Sequence, residues 1–184
     1  RAARGAPAVA PGDSFVAHLT LPRAGTFIYH THLNDVVQLT SGLYGAIVVL
    51  EPGQAFDPAA DHVLVAGWDG TGDLPRILVN GDSLPRPLEL ASGVTHRLRL
   101  VNIGPAGMLR FALEQRGRPV TWRWVAKDGA DLPAAQVVEH AAVEQVDVGE
   151  TYDALFRPEQ SGAYRLTVGY GVPATTYVRQ VVVR

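Results

Sequence analysis

Short runs of hydrophobic residues recur along the chain, and most of them alternate with polar residues in the manner of β-strands. "THRLRLVN" shows this well, because Leu98 and Leu100 point to one face of a strand while Arg97 and Arg99 point to the other. Glycine, proline or aspartate separates most runs, as expected for strands joined by turns. The predicted strands are SFVAHLTL, GTFIYHTH, YGAIVVL, DHVLVAGW, RILVNG, THRLRLVNI, MLRFALEQ, VTWRWVAKDG, VEQVDVG, AYRLTVGY and TYVRQVVVR.

Helical periodicity is almost absent, and only "QLTSG" and "LPAAQVVEHAA" could hold a short helix. Many short strands with frequent turn signals are typical of antiparallel sheets that pack as a sandwich or close into a barrel. The pattern therefore predicts an all-β protein.

An internal repeat links two distant parts of the chain. The segment "PGDSFVAHLTLPRAGTFIYHTH" aligns without a gap with "VGETYDALFRPEQSGAYRLTVG", and Gly25 of the first copy matches Gly162 of the second. In both copies a Gly-acid turn leads into one strand, and a glycine turn then leads into another. We interpret this as one β-scaffold used twice.

The repeat also predicts the domain organisation. A long β-rich stretch reaching back to Asp61 precedes the second copy, whereas little sequence precedes the first. If the two units are equivalent, residues 1–53 are the C-terminal half of a first domain, residues 54–60 are a linker, and residues 61–184 are a complete second domain. The opening on Arg1 without a methionine is what a mature or truncated form would show. A half-domain leaves strand edges open, which favours association with other polypeptide or with further copies of this chain.

Composition narrows the classes of function. Of the 184 residues, 47% are hydrophobic and 18% are charged, which is the balance of a globular protein with a sizeable core. The net charge of −2 argues against nucleic acid and anionic membrane surfaces as partners. The absence of cysteine excludes disulfides and thiolate metal sites within this sequence.

The chemistry-bearing feature is a pair of histidines in "GTFIYHTH". His30 and His32 are two residues apart, so on a strand they share a face, with Cα atoms about 6.5–7 Å apart. Neutral imidazole binds copper, zinc, iron or nickel, and a nitrogen site favours copper. The second copy of the repeat has Thr167 and Gly169 at these positions, so the scaffold itself does not require histidine.

The plainer alternative has one of these histidines solvated and the other hydrogen-bonded near a sheet edge. Two histidines also fall short of the three protein ligands usual in a catalytic metal site. Asn34, Asp35 and Gln38 are nearby in sequence and are weaker ligand candidates.

The remaining histidines and the tryptophans have weaker claims to function. His18 is predicted to lie one strand away from the pair, and His140 in a loop beside Glu139 and Glu144. Surface or strand-capping roles are predicted for His62 and His96. Core positions are predicted for Trp68, Trp122 and Trp124.

The segment "GTFIYHTH…GLYGAIVVLEPG" resembles the second histidine motif of the multicopper oxidases, the family that includes laccases. The downstream segments "RILVNGDSLPRPLELASGVTHRLRLVNIG", "VAKDGADL" and "VDVGETYDALFRP" are similar to the middle cupredoxin domain of that family. The resemblance implies a cupredoxin-like Greek-key β-sandwich, with one partial and one complete domain. It also implies that His30 and His32 each bind one of the two type 3 coppers of a trinuclear cluster.

The resemblance further implies that the intact protein is an oxidoreductase. It would couple one-electron oxidation of a reducing substrate to the reduction of dioxygen to water, in the periplasm or after secretion. This chain lacks the His-Trp-His-Gly and His-Cys-His elements of the family, so the remaining copper ligands would come from other cupredoxin segments, and the chain alone is expected to be inactive. Two alternatives stay open. One is a non-enzymatic β-sandwich module for assembly or copper binding, and the other is a relative of copper nitrite reductase, which also needs the missing cysteine motif.

Overall fold

The computed structural model describes residues 9–70, 76–171 and 175–184, which form fifteen β-strands and two short helical segments. The predicted all-β class is confirmed. The helical segments are α1, Asp35–Thr40, and a 3-10 helix, Ala134–Gln136. The strands are β1 Gly25–His30, β2 Tyr44–Val49, β3 Asp61–Asp69, β4 Arg76–Val79, β5 Leu88–Leu90, β6 His96–Asn102, β7 Leu109–Gln115, β8 Arg118–Pro119, β9 Thr121–Lys127, β10 Ala130–Asp131, β11 Glu139–Ala141, β12 Val143–Val146, β13 Thr151–Phe156, β14 Gly162–Gly169 and β15 Tyr177–Val183.

Strands β3 to β15 form the two layers of a sandwich. The first sheet has the order β10-β9-β13-β6-β3-β4, with β11 also paired to β9, and the second has the order β12-β7-β14-β15-β5, with β8 also paired to β7. The expectation of antiparallel pairing is corrected at two places, because β3 pairs with β6 and β15 pairs with β5 in parallel. The chain leaves the first sheet after β4 and returns beside β3 as β6, and this crossover makes that pair parallel.

The sandwich core consists of apolar side chains from the inner faces of both sheets. Leu98 and Leu100 of β6 are buried in it, which confirms the alternation predicted for this strand. Trp122 and Trp124 of β9 are also buried in the core, as predicted, and their rings are 4.8 Å apart.

Strands β1 and β2, joined by a connection that contains α1, form a separate two-stranded sheet that we call the hairpin. A second hydrophobic cluster joins it to the outer face of the first sheet. The first sheet is therefore covered on both faces around β6. The cluster contains Ile28, Leu39, Tyr44 and Ala46 from the hairpin and Val63, Val65, Val101 and Ile103 from the first sheet and the residue that follows it.

The structure confirms that the two sequence copies share a local design. β1 and β14 begin at Gly25 and Gly162, with φ of 150° and 145°, in a region that favours glycine. Each glycine lies opposite the C-terminal end of its partner strand, Gly25 opposite Val49 and Gly162 opposite Val183. β1 therefore corresponds to β14 in sequence, and the hairpin corresponds to the β14–β15 pair in register.

The surroundings of the two copies differ. In the sandwich, β14 pairs with β7 on its other edge, and Leu166 is buried in the core. In the hairpin, the equivalent of Leu166 is Tyr29, which is 55% exposed. Within the described residues no third strand pairs with β1 or β2.

The prediction of a strand at SFVAHLTL is wrong. Residues 14–21 are outside any described strand, and all but the last of them are exposed, although their repeat counterpart contains β13. β13 is held between β6 and β9, whereas the first copy has no such neighbours among the described residues. Alternating sequence makes a strand only where a partner supplies the ladder hydrogen bonds.

Candidate metal site

The structure brings the predicted histidine pair together at one end of the hairpin. β1 ends at His30, which lies opposite Tyr44 of β2, and His32 follows two residues later. The ring centroids of His30 and His32 are 4.5 Å apart, with an angle of 43° between their planes. His30 is half-buried and His32 is exposed, so the pair lies at the surface within reach of another polypeptide segment or an ion.

One hydrogen bond indicates the tautomer of the inner ring in its neutral form. Nδ1 of His30 lies 2.9 Å from the carbonyl oxygen of Thr31. A carbonyl oxygen only accepts hydrogen bonds, so Nδ1 carries the proton and donates it. Nε2 of His30 is then the nitrogen with a free lone pair, which is the arrangement of a metal-binding histidine whose other nitrogen is held by an outer partner.

The connection after the pair is folded back by its own hydrogen bonds. Asn34 has φ of 50°, a left-handed conformation that asparagine tolerates, and this turn leads into α1. The side chain of Asp35 accepts a hydrogen bond from the N–H of Val36 at 2.9 Å, and the amide oxygen of Gln38 accepts one from the hydroxyl of Thr31. Asp35 and Gln38 thus hold the loop in shape. No group of three or more His, Cys, Asp or Glu side chains suited to a metal occurs in the part of the chain that the structure describes.

A buried charge cluster, which sequence reasoning missed, joins the hairpin to the sandwich. The hydroxyl of Thr26 in β1 donates to Asp153 of β13 at 2.7 Å and accepts from Arg99 of β6 at 2.8 Å. Arg99 also binds Asp61 with two hydrogen bonds of 2.6 Å, and Arg97 binds Asp153.

The positive and negative charges of this cluster balance one another, because Arg97 and Arg99 pair with Asp61 and Asp153. Arg99 and Asp153 are both almost fully buried. Burial opposes the charge on Arg99, but hydrogen bonding to Asp61 and the negative charges of Asp153 and Asp61 outweigh it and raise the pKa of Arg99 overall. The alternation of β6 predicted a polar face that carries Arg97 and Arg99. In the structure the hairpin packs against this face and covers it.

The placement predicted for His62 and His96 is wrong. His96 is fully buried, His62 is 8% exposed, and Nε2 of His62 lies 3.2 Å from Nδ1 of His96. The two residues lie near the starts of β3 and β6, which pair in parallel, so their rings meet between adjacent strands. Burial lowers the pKa of His62, and the neighbouring His96 adds to this decrease.

The other candidates lie apart from the histidine pair. His18 is exposed and outside any described strand, so its predicted strand position is corrected. His140 is exposed on β11, with its ring 5.7 Å from that of Trp124. Trp68 is only partly buried, packs against the sandwich core and makes an edge contact with Tyr170.

No helix in the described ranges is long and apolar enough to cross a bilayer. α1, at six residues, is far shorter than the roughly 20 residues that a transmembrane helix needs.

Comparison with known proteins supports the family assignment. Residues 4–54, which include the histidine pair, match the family model described as multicopper oxidase. L-ascorbate oxidase from Cucumis sativus is 37% identical over 215 aligned positions, covering 91% of this chain and 35% of that protein. Laccase-5 from Trametes versicolor is 27% identical over 175 residues, covering 83% of this chain and 32% of the laccase.

Solved structures share the fold. Blue copper oxidase from Nitrosomonas europaea superposes with a TM-score of 0.75 at 20% identity, covering 95% of this chain and 61% of that one. Copper nitrite reductase from the same organism superposes with a TM-score of 0.66 at 16% identity, covering 88% of this chain and 62% of that one. At these identities the likeness concerns the fold alone, and it is the cupredoxin-like sandwich predicted from the sequence.

The chain spans about a third of the length of these two curated relatives. Its matched region carries the two neighbouring histidines, and its fold is shared along nearly the whole length with a blue copper oxidase. These findings therefore support a multicopper oxidase assignment, with the family model matched over residues 4–54 and the fold shared along nearly the whole chain.

Proposed function

We propose that this chain is part of a copper-dependent oxidase and that His30 and His32 each bind one copper of a type 3 pair. The observation that supports this most directly is the convergence of the two rings, with centroids 4.5 Å apart, on the hairpin that matches the family. Rings this close can each hold one of two neighbouring ions.

The donor set fits copper. Both ligands are imidazoles, and a nitrogen site binds Cu²⁺ more tightly than the other divalent first-row metals. The proton on Nδ1 of His30 leaves Nε2 available, and the exposure of His32 leaves room for an incoming ligand. Two imidazoles do not complete a coordination shell, so we propose that other cupredoxin segments of the same protein or another subunit provide the rest.

Copper held by His30 and His32 together with ligands from other segments would supply one-electron redox chemistry for the reduction of dioxygen to water at the expense of a reducing substrate. The chain's own contribution is to hold and orient. His30 and His32 would bind metal through neutral nitrogen atoms, so neither would act as an acid or a base. The carbonyl of Thr31 would keep the His30 ring in the orientation that presents Nε2.

The test is copper binding by the complete protein that contains this chain. We expect His30→Ala and His32→Ala each to lower copper affinity by more than the roughly 10–100-fold that loss of an outer-shell partner causes, because each removes a ligand. Copper retained after dialysis against a chelator is measured by elemental analysis. His18→Ala is the matched control, since it removes an exposed histidine away from the pair. Copper retention unchanged in both variants would refute the proposal.

We also propose the domain organisation predicted from the sequence. Residues 1–53, of which 1–8 lie outside the described residues, would be the later half of a first cupredoxin-like domain, 54–60 a linker, and 61–184 a second domain without copper ligands. The equivalence of the hairpin to β14–β15 supports this, as does the exposure of Tyr29 where its counterpart Leu166 is buried. The missing strands and the cover for Tyr29 would then come from further polypeptide.

A second candidate is a non-enzymatic cupredoxin-like module. The complete absence of cysteine favours it, because this sequence cannot form a blue copper site with a thiolate ligand. Such a module, whether for assembly or for copper binding, would show no copper-dependent oxidation of substrate. If it served assembly alone, its copper content would also not depend on His30 or His32. The oxidase proposal includes export of the protein to the periplasm or its secretion from the cell, as the family resemblance implies.

A further inference from the structure

We propose that Gln38 is a positioning residue for the histidine pair and acts through Thr31, the residue between the two histidines. This inference rests on the proposed copper-binding function and concerns the contacts that keep the two rings close together. The ladder between β1 and β2 ends at His30, so the strand alone does not determine where His32 points.

Four hydrogen bonds hold Thr31, one of which runs from the N–H of Leu33 to its hydroxyl at 3.4 Å. Its N–H donates to the carbonyl of Leu43 at 3.3 Å, which extends the hairpin by one hydrogen bond. Its carbonyl accepts from Nδ1 of His30 at 2.9 Å, and its hydroxyl donates to the side-chain amide oxygen of Gln38. The rotation of the peptide units on both sides of Thr31 decides the relative direction of His30 and His32, so these contacts constrain both rings.

The backbone of Gln38 is itself held in place by hydrogen bonds. Its N–H donates to Asn34 at 3.0 Å, and its carbonyl accepts from the N–H of Leu43 at 3.0 Å. The next residue, Leu39, is buried in the cluster that contains Val65 and Val101 of the first sheet. A continuous path of packing and hydrogen bonds therefore runs from the sandwich through α1 and Gln38 to Thr31.

The side chain of Gln38 can orient the pair without contacting metal. Its amide oxygen is already engaged by the Thr31 hydroxyl, which makes it a partner of the loop. Outer-shell partners of this kind orient ligands, and their loss typically lowers metal affinity about 10–100-fold. We expect the effect to pass through the Thr31 hydroxyl, so a variant that keeps this hydroxyl should keep the affinity.

The experiment compares four variants of the complete protein. Thr31→Val removes the hydroxyl at nearly constant shape, Thr31→Ser restores it, and Gln38→Leu removes the acceptor. Thr40→Val is the matched control, because it too removes a threonine hydroxyl at nearly constant shape. This hydroxyl lies on α1 and, among the described contacts, bonds only to the carbonyls of Val36 and Val37. Copper affinity is measured by competition with a chelator, and the X-ray absorption spectrum of the copper-loaded protein reports ligand geometry.

We expect Thr31→Val and Gln38→Leu to weaken copper binding about 10-fold or more and to change the spectrum, while Thr31→Ser and Thr40→Val stay within about twofold of the wild type. If Thr31→Val fails to fold, as judged by circular dichroism, Gln38→Leu decides the question. Copper affinity within twofold of the wild type in the folded variants would overturn the inference. If His30→Ala and His32→Ala remove copper in that case, only the positioning role fails, and if they leave it unchanged, the proposed function fails as well.

Discussion

At the residue scale, the six histidines of this chain occupy very different environments. His30 and His32 lie at the surface with their rings close together, whereas His62 and His96 form a buried pair inside the sandwich. The 3.2 Å contact between the two neutral rings needs one donor and one acceptor nitrogen, so a single N–H lies between them. A further proton would place a positive charge in a buried site.

This buried pair predicts a pH dependence of stability. The pKa of His62 is lowered in the folded state by burial, and the charge on His96 has the same effect. Arg179 also lowers it, while Asp61 and Asp57 act in the opposite direction. Because the unfolded chain binds the proton more readily, the stability contributed by neutral His62 is fully present above the unfolded pKa of about 6.5 and is lost as the pH falls through and below it.

We expect His62→Gln to flatten this dependence, since glutamine can keep a hydrogen bond to His96 but does not titrate. The measurement is the free energy of unfolding by urea at pH 7.5 and at pH 5. His140→Gln, which changes an exposed histidine, is the control and should retain the wild-type slope. Equal slopes for His62→Gln and wild type would show that the buried pair does not carry the effect.

At the element scale, the hairpin is the part of the molecule on which the candidate site depends. Its inner face packs through Ile28 and Ala46 onto the first sheet, and its open end presents the histidines. Gly25 at its start lies so close to Gly129 that an added Cβ would come within 2.6 Å of the Gly129 carbonyl oxygen. The backbone of the β9–β10 turn therefore sets how closely β1 can approach the sandwich.

We expect Gly25→Ala to loosen the hairpin from the sandwich. The substitution combines a backbone strain of about 1–3 kcal/mol at φ of 150° with a steric conflict that only backbone movement can relieve. Hydrogen exchange should show faster exchange for the amides of β1 and β2, while those of β7 and β14 stay protected. Gly53→Ala is the control, because it has φ of 83° but nothing within 4 Å of the added Cβ. Faster hairpin exchange in Gly53→Ala to the same degree would contradict the role of close approach.

At the scale of the whole molecule, the hairpin and the sandwich are joined by an apolar cluster beside a buried polar one. Asp153 is the centre of the polar cluster, because it accepts hydrogen bonds from Thr26, Arg97 and Arg99. Buried ion pairs of this kind add little net stability, but removing one partner leaves a charge without compensation. The cluster therefore fixes how the two parts fit together.

We expect Asp153→Ala to destabilise the protein by about 3–5 kcal/mol, because only the carboxylate of Asp61 then remains in the cluster to balance Arg97 and the buried Arg99. Glu159→Ala is the control, since it breaks the exposed ion pair with Arg157 and should cost less than about 1 kcal/mol. Urea unfolding measures both. Similar losses for the two variants would show that burial of the Asp153 cluster has no particular importance.

The sequence by itself determined the β-class, most of the strands and the pairing of His30 with His32. Strand alternation and turn residues are local signals, so they can be read along the chain, and the repeat correctly indicated that Gly25 and Gly162 begin equivalent strands. The same repeat also led to an error. It implied a strand at SFVAHLTL, but this segment has no partner strand among the described residues.

Tertiary structure alone decided which residues meet across the chain. The burial of His62 against His96 depends on the parallel pairing of β3 with β6, and the burial of Arg99 depends on the hairpin that covers the outer face of the first sheet. Neither is visible locally, because a side chain's exposure is set by elements many residues away. The contact between Thr31 and Gln38 likewise exists only because the connection folds back as α1 before the chain returns as β2.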